Sequence, residues 1–340
     1  MTKLATLTDA QSTLSALEVA SRAGGATALD ELVPHEVWRR ALLGPAEEFL
    51  ARPGKHLRTT IVEAGWALGG GAVEDMPEKL ALIIELLHSG SLIIDDIQDA
   101  SEVRRGAPTL HRVIGTPLAI NTGSWMYFWA LAELGQLGLP PVTELAAHRA
   151  TAATLVRCHQ GQALDLATPI TELAIQDVAP VVAATTRLKT GALCKLAAEL
   201  GALAAGASEH LIAPIARFGE RFGIALQMLD DLGSLTSTKR RAKGHEDLRA
   251  ARPTWPWAWL AQHDVFAWPR LIASERHVVD GTGDPDALAD ALIAEIGAYG
   301  RAQIHEGLAT ALDELVGVVG ETATTRQLAS ELQGMEAHYG

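Results

Sequence analysis

The sequence predicts an all-α fold, and three observations lead there. Alanine and leucine dominate, while long alternating runs of β-branched residues are scarce. Four segments, Glu78 to Asp99, Glu144 to Ala167, Val181 to Leu203 and Ala213 to Leu232, carry apolar residues at helical spacing. Prolines at Pro45, Pro53, Pro77, Pro108, Pro140, Pro141, Pro169 and Pro180 fall where such helices should begin or end. With 340 residues, 48% of them hydrophobic, the chain can bury a sizeable core. The most economical arrangement is one large helical bundle spanning 1–340, with a central cavity between facing helices.

The first residues, Met1-Thr2-Lys3-Leu4-Ala5, lead into polar sequence without the apolar stretch of a signal peptide. Val113 to Ala132 carries no charged side chain, yet Pro117, Asn121, Thr122, Gly123 and Ser124 lie inside it. A buried core helix is expected there, not a membrane span. The segment Asp280-Gly281-Thr282-Gly283-Asp284-Pro285 reads as a loop between two late helices. Cys158 and Cys194 are too few for a disulfide framework and read as lone buried thiols, in keeping with a cytoplasmic protein. The net charge of −13 argues against nucleic acid as a partner. An acidic chain that binds an anion needs clustered arginine and lysine, or a bound cation.

Both remedies occur. In Asp95-Asp96-Ile97-Gln98-Asp99, a helix sets Asp95 and Asp99 one turn apart on one face. Carboxylates this close repel one another, and a divalent cation resolves the repulsion. Magnesium suits aspartate oxygens and commonly bridges carboxylates to phosphates. A solvated acidic helix end is the alternative. The apolar run Leu86 to Ile94, containing His88, precedes the motif, and Arg104-Arg105-Gly106-Ala107-Pro108-Thr109-Leu110-His111 follows it. The arginines suit either salt bridges or phosphate oxygens. A second acidic pair, Asp230-Asp231, ends another apolar helix behind Gln227. Two such helices facing across a bundle would hold several magnesium ions around one diphosphate. A further cationic patch is Gly54-Lys55-His56-Leu57-Arg58.

From about Gly54 to Pro256 the landmarks resemble, in order, those of the trans-prenyl diphosphate synthase (polyprenyl synthetase) family. Gly54 to Arg58 is similar to its Gly-Lys-Arg-x-Arg element, and His88 stands at its homoallylic-diphosphate histidine. Asp95, Asp96 and Asp99 match the first aspartate-rich motif, and Arg104 to His111 the signature after it. Gly161-Gln162-Ala163-Leu164-Asp165, Lys189-Thr190, Gln227, Asp230-Asp231, Asp247-Leu248-Arg249 and Arg252-Pro253-Thr254 match later positions. The resemblance implies an all-α bundle of the isoprenoid synthase type and a homodimer. It implies a magnesium-dependent prenyltransferase that joins isopentenyl diphosphate to an allylic diphosphate. Asp95, Asp96, Asp99, Asp230 and Asp231 would be metal ligands. Lys55, Arg58, His88, Arg104 and Arg105 would bind the diphosphates. Lys189, Thr190 and Gln227 would stand beside the allylic cation.

The chain departs from the family pattern in several places. Ser234, after Gly233, replaces the last aspartate of the second motif; His56 replaces arginine, Thr59 proline, Ser124 aspartate and Arg252 lysine. The family's growing product descends below the first motif, where Gly90 and Ser91 are small, so an open upper tunnel is expected. Trp125-Met126-Tyr127-Phe128-Trp129 would supply core packing and, from Tyr127 or Trp129, a tunnel floor. Farnesyl or geranylgeranyl diphosphate is the product this implies. The same fold could serve a terpene cyclase, a prenyltransferase with an unusual acceptor, or a non-catalytic regulatory subunit. Trp255, Trp257 and Trp259 do not share one helical face and read mainly as packing.

Overall fold

The computed structural model describes residues 29–53, 57–238 and 240–339. Gly54, Lys55 and His56 lie outside the described residues. Among the described residues the regular structure is helical, apart from one minimal hairpin. The order is α1 (His35–Trp38), a π-turn (Arg39–Leu43), α2 (Gly44–Leu50), α3 (Leu57–Leu68) and α4 (Glu78–Gln98). Then come β1 (Val103–Arg104), β2 (Ala107–Pro108), α5 (Leu110–Ile114), α6 (Thr116–Leu134), α7 (Pro141–Ala167) and α8 (Ile175–Thr186). A second π-turn (Arg187–Gly191) leads to α9 (Ala192–Ala204), α10 (Glu209–Thr236), α11 (Arg241–Arg249), α12 (Trp255–His263), α13 (Trp268–Val279), α14 (Pro285–Val319) and α15 (Ala323–Tyr339).

The described residues pack as two compact units, one holding those up to Thr151 with Leu200–Ser208 and the other Ala152–Glu199 with those from Glu209 onward. In the first unit, α4 runs along α6 in the most extensive helix pair. Leu80, Ile83, Ile84, Leu86, Leu87 and Ile93 of α4 are fully buried, each contributing about 1.5–3 kcal/mol. The two helices meet at a pair of glycines. A β-carbon on Gly90 would stand 2.7 Å from the Gly123 carbonyl oxygen and 3.2 Å from the Tyr127 ring. The expectation that Gly90 opens a tunnel is therefore corrected: its missing side chain admits the backbone of α6, and Tyr127 covers the same level.

In the second unit, α10 packs on α14, and α12 packs on both α8 and α14. Trp255, Trp257 and Trp259 are all buried, as the packing reading requires. Trp255 meets Trp259, Trp257 meets Trp268, and Trp259 lies flat where a side chain on Gly300 would stand. Two expected boundaries change. Pro180 does not start a helix but lies within α8. The helix expected over Val181 to Leu203 begins at Ile175, and the π-turn at Arg187–Gly191 interrupts it. Periodicity cannot reveal such a turn, because one extra residue hardly disturbs the apolar pattern. The 280–285 loop joins α13 to α14 with Pro285 in the first turn of the latter. No helix among the described residues is long and apolar enough to cross a membrane.

Candidate active site

The first unit gathers a cationic cluster around His88, on the middle of α4. Arg58, one residue into α3, donates from Nη1 to His88 Nε2 at 3.0 Å. Burial holds the His88 pKa well below its ordinary value, and Arg58, Arg105 and Arg104 depress it further. The ring is therefore neutral, with Nε2 accepting and the proton on Nδ1. Among the described residues Arg58 Nε is buried without a partner. Three guanidiniums thus lie around a histidine that burial, with their help, keeps neutral, a concentration of donors of the kind that suits phosphate oxygens.

Arg104 and Arg105 are delivered by the β1–β2 hairpin, where Arg104 pairs with Ala107 across a two-residue turn. Arg105 and Gly106 both have left-handed φ, +54° and +79°, as a primed turn demands. At the end of α4 the three aspartates separate. Asp96 is fully buried and accepts from Arg104 Nε at 2.8 Å and from Arg104 Nη2. Asp95 is half-buried and Asp99, the C-cap, is exposed.

The second unit builds its own constellation on the π-turn. Such turns recur at functional sites because they re-aim a few side chains while the helix continues. Here the turn presents Lys189 and Thr190. It lies flush against α7 because residue 161 is glycine; a β-carbon there would stand 2.8 Å from Lys189 Cγ. A β-carbon on Gly223 of α10 would likewise stand 2.7 Å from the Thr190 carbonyl oxygen, so its absence lets α10 approach closely. Lys189 Nζ donates to Asp165 Oδ2 at 2.7 Å, and Arg252 donates to the Asp165 carbonyl at 2.6 Å. Thr190 Oγ1 donates to Gln227 Oε1 at 2.7 Å, Gln227 Nε2 to Asp231 Oδ1 at 2.8 Å, and Trp255 N to Asp231 Oδ2 at 3.0 Å.

Asp231 is buried, and that burial pushes its pKa up to about 7 against the opposing Trp255 and Gln227 hydrogen bonds. Its neighbour Asp230 is more exposed and pairs with Arg240 at 2.6 Å. Ser234 is buried, donates to the Asp231 carbonyl, and has its own carbonyl covered by Gly244 of α11. A β-carbon on Gly244 would come within 2.5 Å of that carbonyl.

A family profile described as polyprenyl synthetase matches residues 39–265, which carry both constellations. The chain belongs to the polyprenyl synthetase family. It is 34% identical over 227 residues to geranylgeranyl pyrophosphate synthase 2 of Zymoseptoria tritici, covering 64% of this chain and 63% of that one. It is 32% identical over 320 residues to geranylgeranyl pyrophosphate synthase dpasD of Apiospora sacchari, covering 89% and 86%. The fold matches the crystal structure of heptaprenyl diphosphate synthase from Staphylococcus aureus with a TM-score of 0.74, at 18% identity over 98% of this chain and 99% of that one.

This polyprenyl synthetase thus places His88 with Arg58, Arg104 and Arg105, and separately Lys189 and Thr190 with Gln227 and Asp231. Sequence reasoning passed over Arg52 and Arg240. Arg52 precedes the Gly54-Lys55 element by two residues, and the run Lys239-Arg240-Arg241 follows the second acidic pair. Basic residues flanking an acidic or phosphate-type motif were the signal available for each.

Proposed function

We propose that the protein is a trans-prenyltransferase that condenses isopentenyl diphosphate with an allylic diphosphate, with magnesium as its cofactor. The observation that carries this reading is the arginine cluster around a neutral His88, with a buried Nε on Arg58 that has no partner among the described residues, in a chain of net charge −13. Arg58, His88 and Arg105, with Lys55, bind the homoallylic diphosphate. Arg104 binds the allylic one.

The residues fit magnesium in a particular way. Among the described residues no three histidine, cysteine, aspartate or glutamate side chains form a ready-made cage. Magnesium does not need one, since it commonly takes one or two carboxylates and completes its shell with water and substrate phosphates. Asp95, Asp99 and Asp230 are the ligands in this reading. Asp96 and Asp231, first expected to ligate, are buried and hydrogen-bonded, so they position Arg104 and Gln227 instead. When bound, magnesium would neutralise charge on the departing diphosphate. Lys189, Thr190 and Gln227 orient around the allylic carbons, with the Gln227 carbonyl oxygen fixed by Thr190 as a negative dipole for a developing cation.

The geranylgeranyl synthases among the relatives support a product of farnesyl or geranylgeranyl size. The paired helices α4 and α6 support Tyr127 as the floor. Trp129 is turned into the core, where its Nε1 donates to Glu133. None of the comparisons favours a cyclase, an unusual acceptor or a silent subunit.

Residues 1–340 work as one isoprenoid-synthase-type domain in this reading. A chain with only two cysteines in 340 residues supports a cytoplasmic setting. Apolar side chains left in water on α6 and α7, such as Phe128 at 67% and Val142 at 82%, support a homodimer. The test is diphosphate release from an allylic substrate with magnesium, and with the metal chelated. Release that survives chelation contradicts the reading.

A further inference from the structure

The hairpin that carries Arg104 and Arg105 has two residues in each strand, too few to hold itself together in water. Its support comes from Arg52, in the turn after α2. That side chain is buried, with 6% of the residue exposed. Its Nη1 donates to the Arg104 carbonyl on β1 at 3.2 Å, and its Nη2 donates to the Pro108 carbonyl on β2 at 2.8 Å. One guanidinium thus bridges both strands. Glu48, one turn earlier on α2, fixes the fork by accepting from Nε and Nη2, each at 3.0 Å. The Phe49 ring lies beneath Arg52 at 5.2 Å and beneath Arg105 at 5.9 Å, and Arg105 Nη1 returns to the Arg52 carbonyl at 3.4 Å.

We infer that Arg52 is a positioning residue that sets the hairpin so that Arg104 and Arg105 can grip diphosphate. The inference rests on the diphosphate-binding role given to those two arginines above. Three features of the geometry favour a clamp over simple packing. The two donors reach opposite strands, so losing them frees the strands from each other. Arg105 sits at φ +54°, a backbone that needs outside restraint in a residue with a β-carbon. The contact also adds a positive charge next to Arg105, whose guanidinium is weakened first by burial, against Glu85, and then by Arg104, Arg58 and Arg52. A planar fork can bridge two carbonyls while paired to Glu48; a lysine ammonium cannot reproduce that geometry.

The experiment compares wild type, Arg52→Met and Arg52→Lys in two measurements: deuterium exchange of peptides covering 101–109, and calorimetric titration with inorganic pyrophosphate. The clamp requires exchange about tenfold faster in 101–109 of Arg52→Met, with α4 unchanged. It also requires pyrophosphate affinity lower by about tenfold, a factor equal to the loss of one charge-assisted contact. Arg52→Lys should recover less than half of either change. Wild-type exchange in the hairpin, or full rescue by lysine, overturns the inference. If Arg52→Met does not fold, Arg52→Lys alone decides by the same exchange readout. Failure of wild-type protein to bind pyrophosphate would instead count against the diphosphate reading, while the exchange result still judges Arg52.

Discussion

The hydroxyl of Thr190, on a π-turn, donates at 2.7 Å to the amide oxygen of Gln227, two turns before the end of α10. The amide nitrogen of Gln227 is held by Asp231, so the amide cannot turn over without breaking both bonds. Thr190→Val removes one neutral hydrogen bond of about 1 kcal/mol and should lower kcat roughly fivefold. Gln227→Leu also strips Asp231 of a donor and should cost more. Steady-state kinetics on both variants checks the ranking; an unaffected kcat in Gln227→Leu removes this residue from the chemistry.

Asp96 and Arg104 make the contrast with the outer aspartates measurable. Asp96→Ala leaves a part-buried guanidinium without its partner, which should cost about 3 kcal/mol in thermal or urea unfolding. Asp95→Ala and Asp99→Ala remove half-buried or exposed carboxylates and should leave stability within about 0.5 kcal/mol. Turnover in both should fall severely and recover partly at raised magnesium. Equal destabilisation by all three would deny the division of labour.

Most of the helices were legible because their apolar periodicity is strong: α4 lies within one residue of the expected Glu78 to Asp99. The motifs gave which residues matter but not how they are used. Asp95, Asp96 and Asp99 look alike in sequence, and only the path of the hairpin turns Asp96 onto Arg104. Gly90 looked like open space, whereas its neighbour across the helix pair is the Gly123 backbone. That information is held in residues more than thirty positions apart, outside any local pattern. The place of Arg52 beside Gly54-Lys55 marked it only as a basic flank; its role was hidden for the same reason, since its partners are the carbonyls of residues 104 and 108.

Glu275 gives a pH signature away from the site. It is fully buried on α13, neither oxygen has a partner among the described residues, and burial pushes its pKa up to about 8. The unfolded group titrates near 4.5, so the folded state holds the proton more tightly between these values. Stability from this group is present below the unfolded value and is lost as pH rises through about 8. Glu275→Gln should therefore match wild type near pH 4.5 and exceed it by on the order of 5 kcal/mol near pH 9. Urea unfolding at the two pH values checks this; a constant difference would show that Glu275 stays ionised.

Product length should respond to Tyr127 and not to Trp129. Tyr127→Ala removes the ring that covers Gly90 and should lengthen the product by at least one isoprene unit. Trp129→Ala opens a core cavity, costing about 3–5 kcal/mol without a change in length. Gly90→Ala drives a methyl against the Gly123 carbonyl and should destabilise by about 1–3 kcal/mol. Product chromatography beside thermal unfolding separates the three.

The most direct test supplies purified protein with magnesium, labelled isopentenyl diphosphate and each allylic diphosphate in turn. The expected result is label in an elongated prenyl diphosphate of farnesyl or geranylgeranyl size, abolished in Asp95→Ala/Asp99→Ala. Diphosphate release from the allylic substrate without any label incorporated would contradict chain elongation.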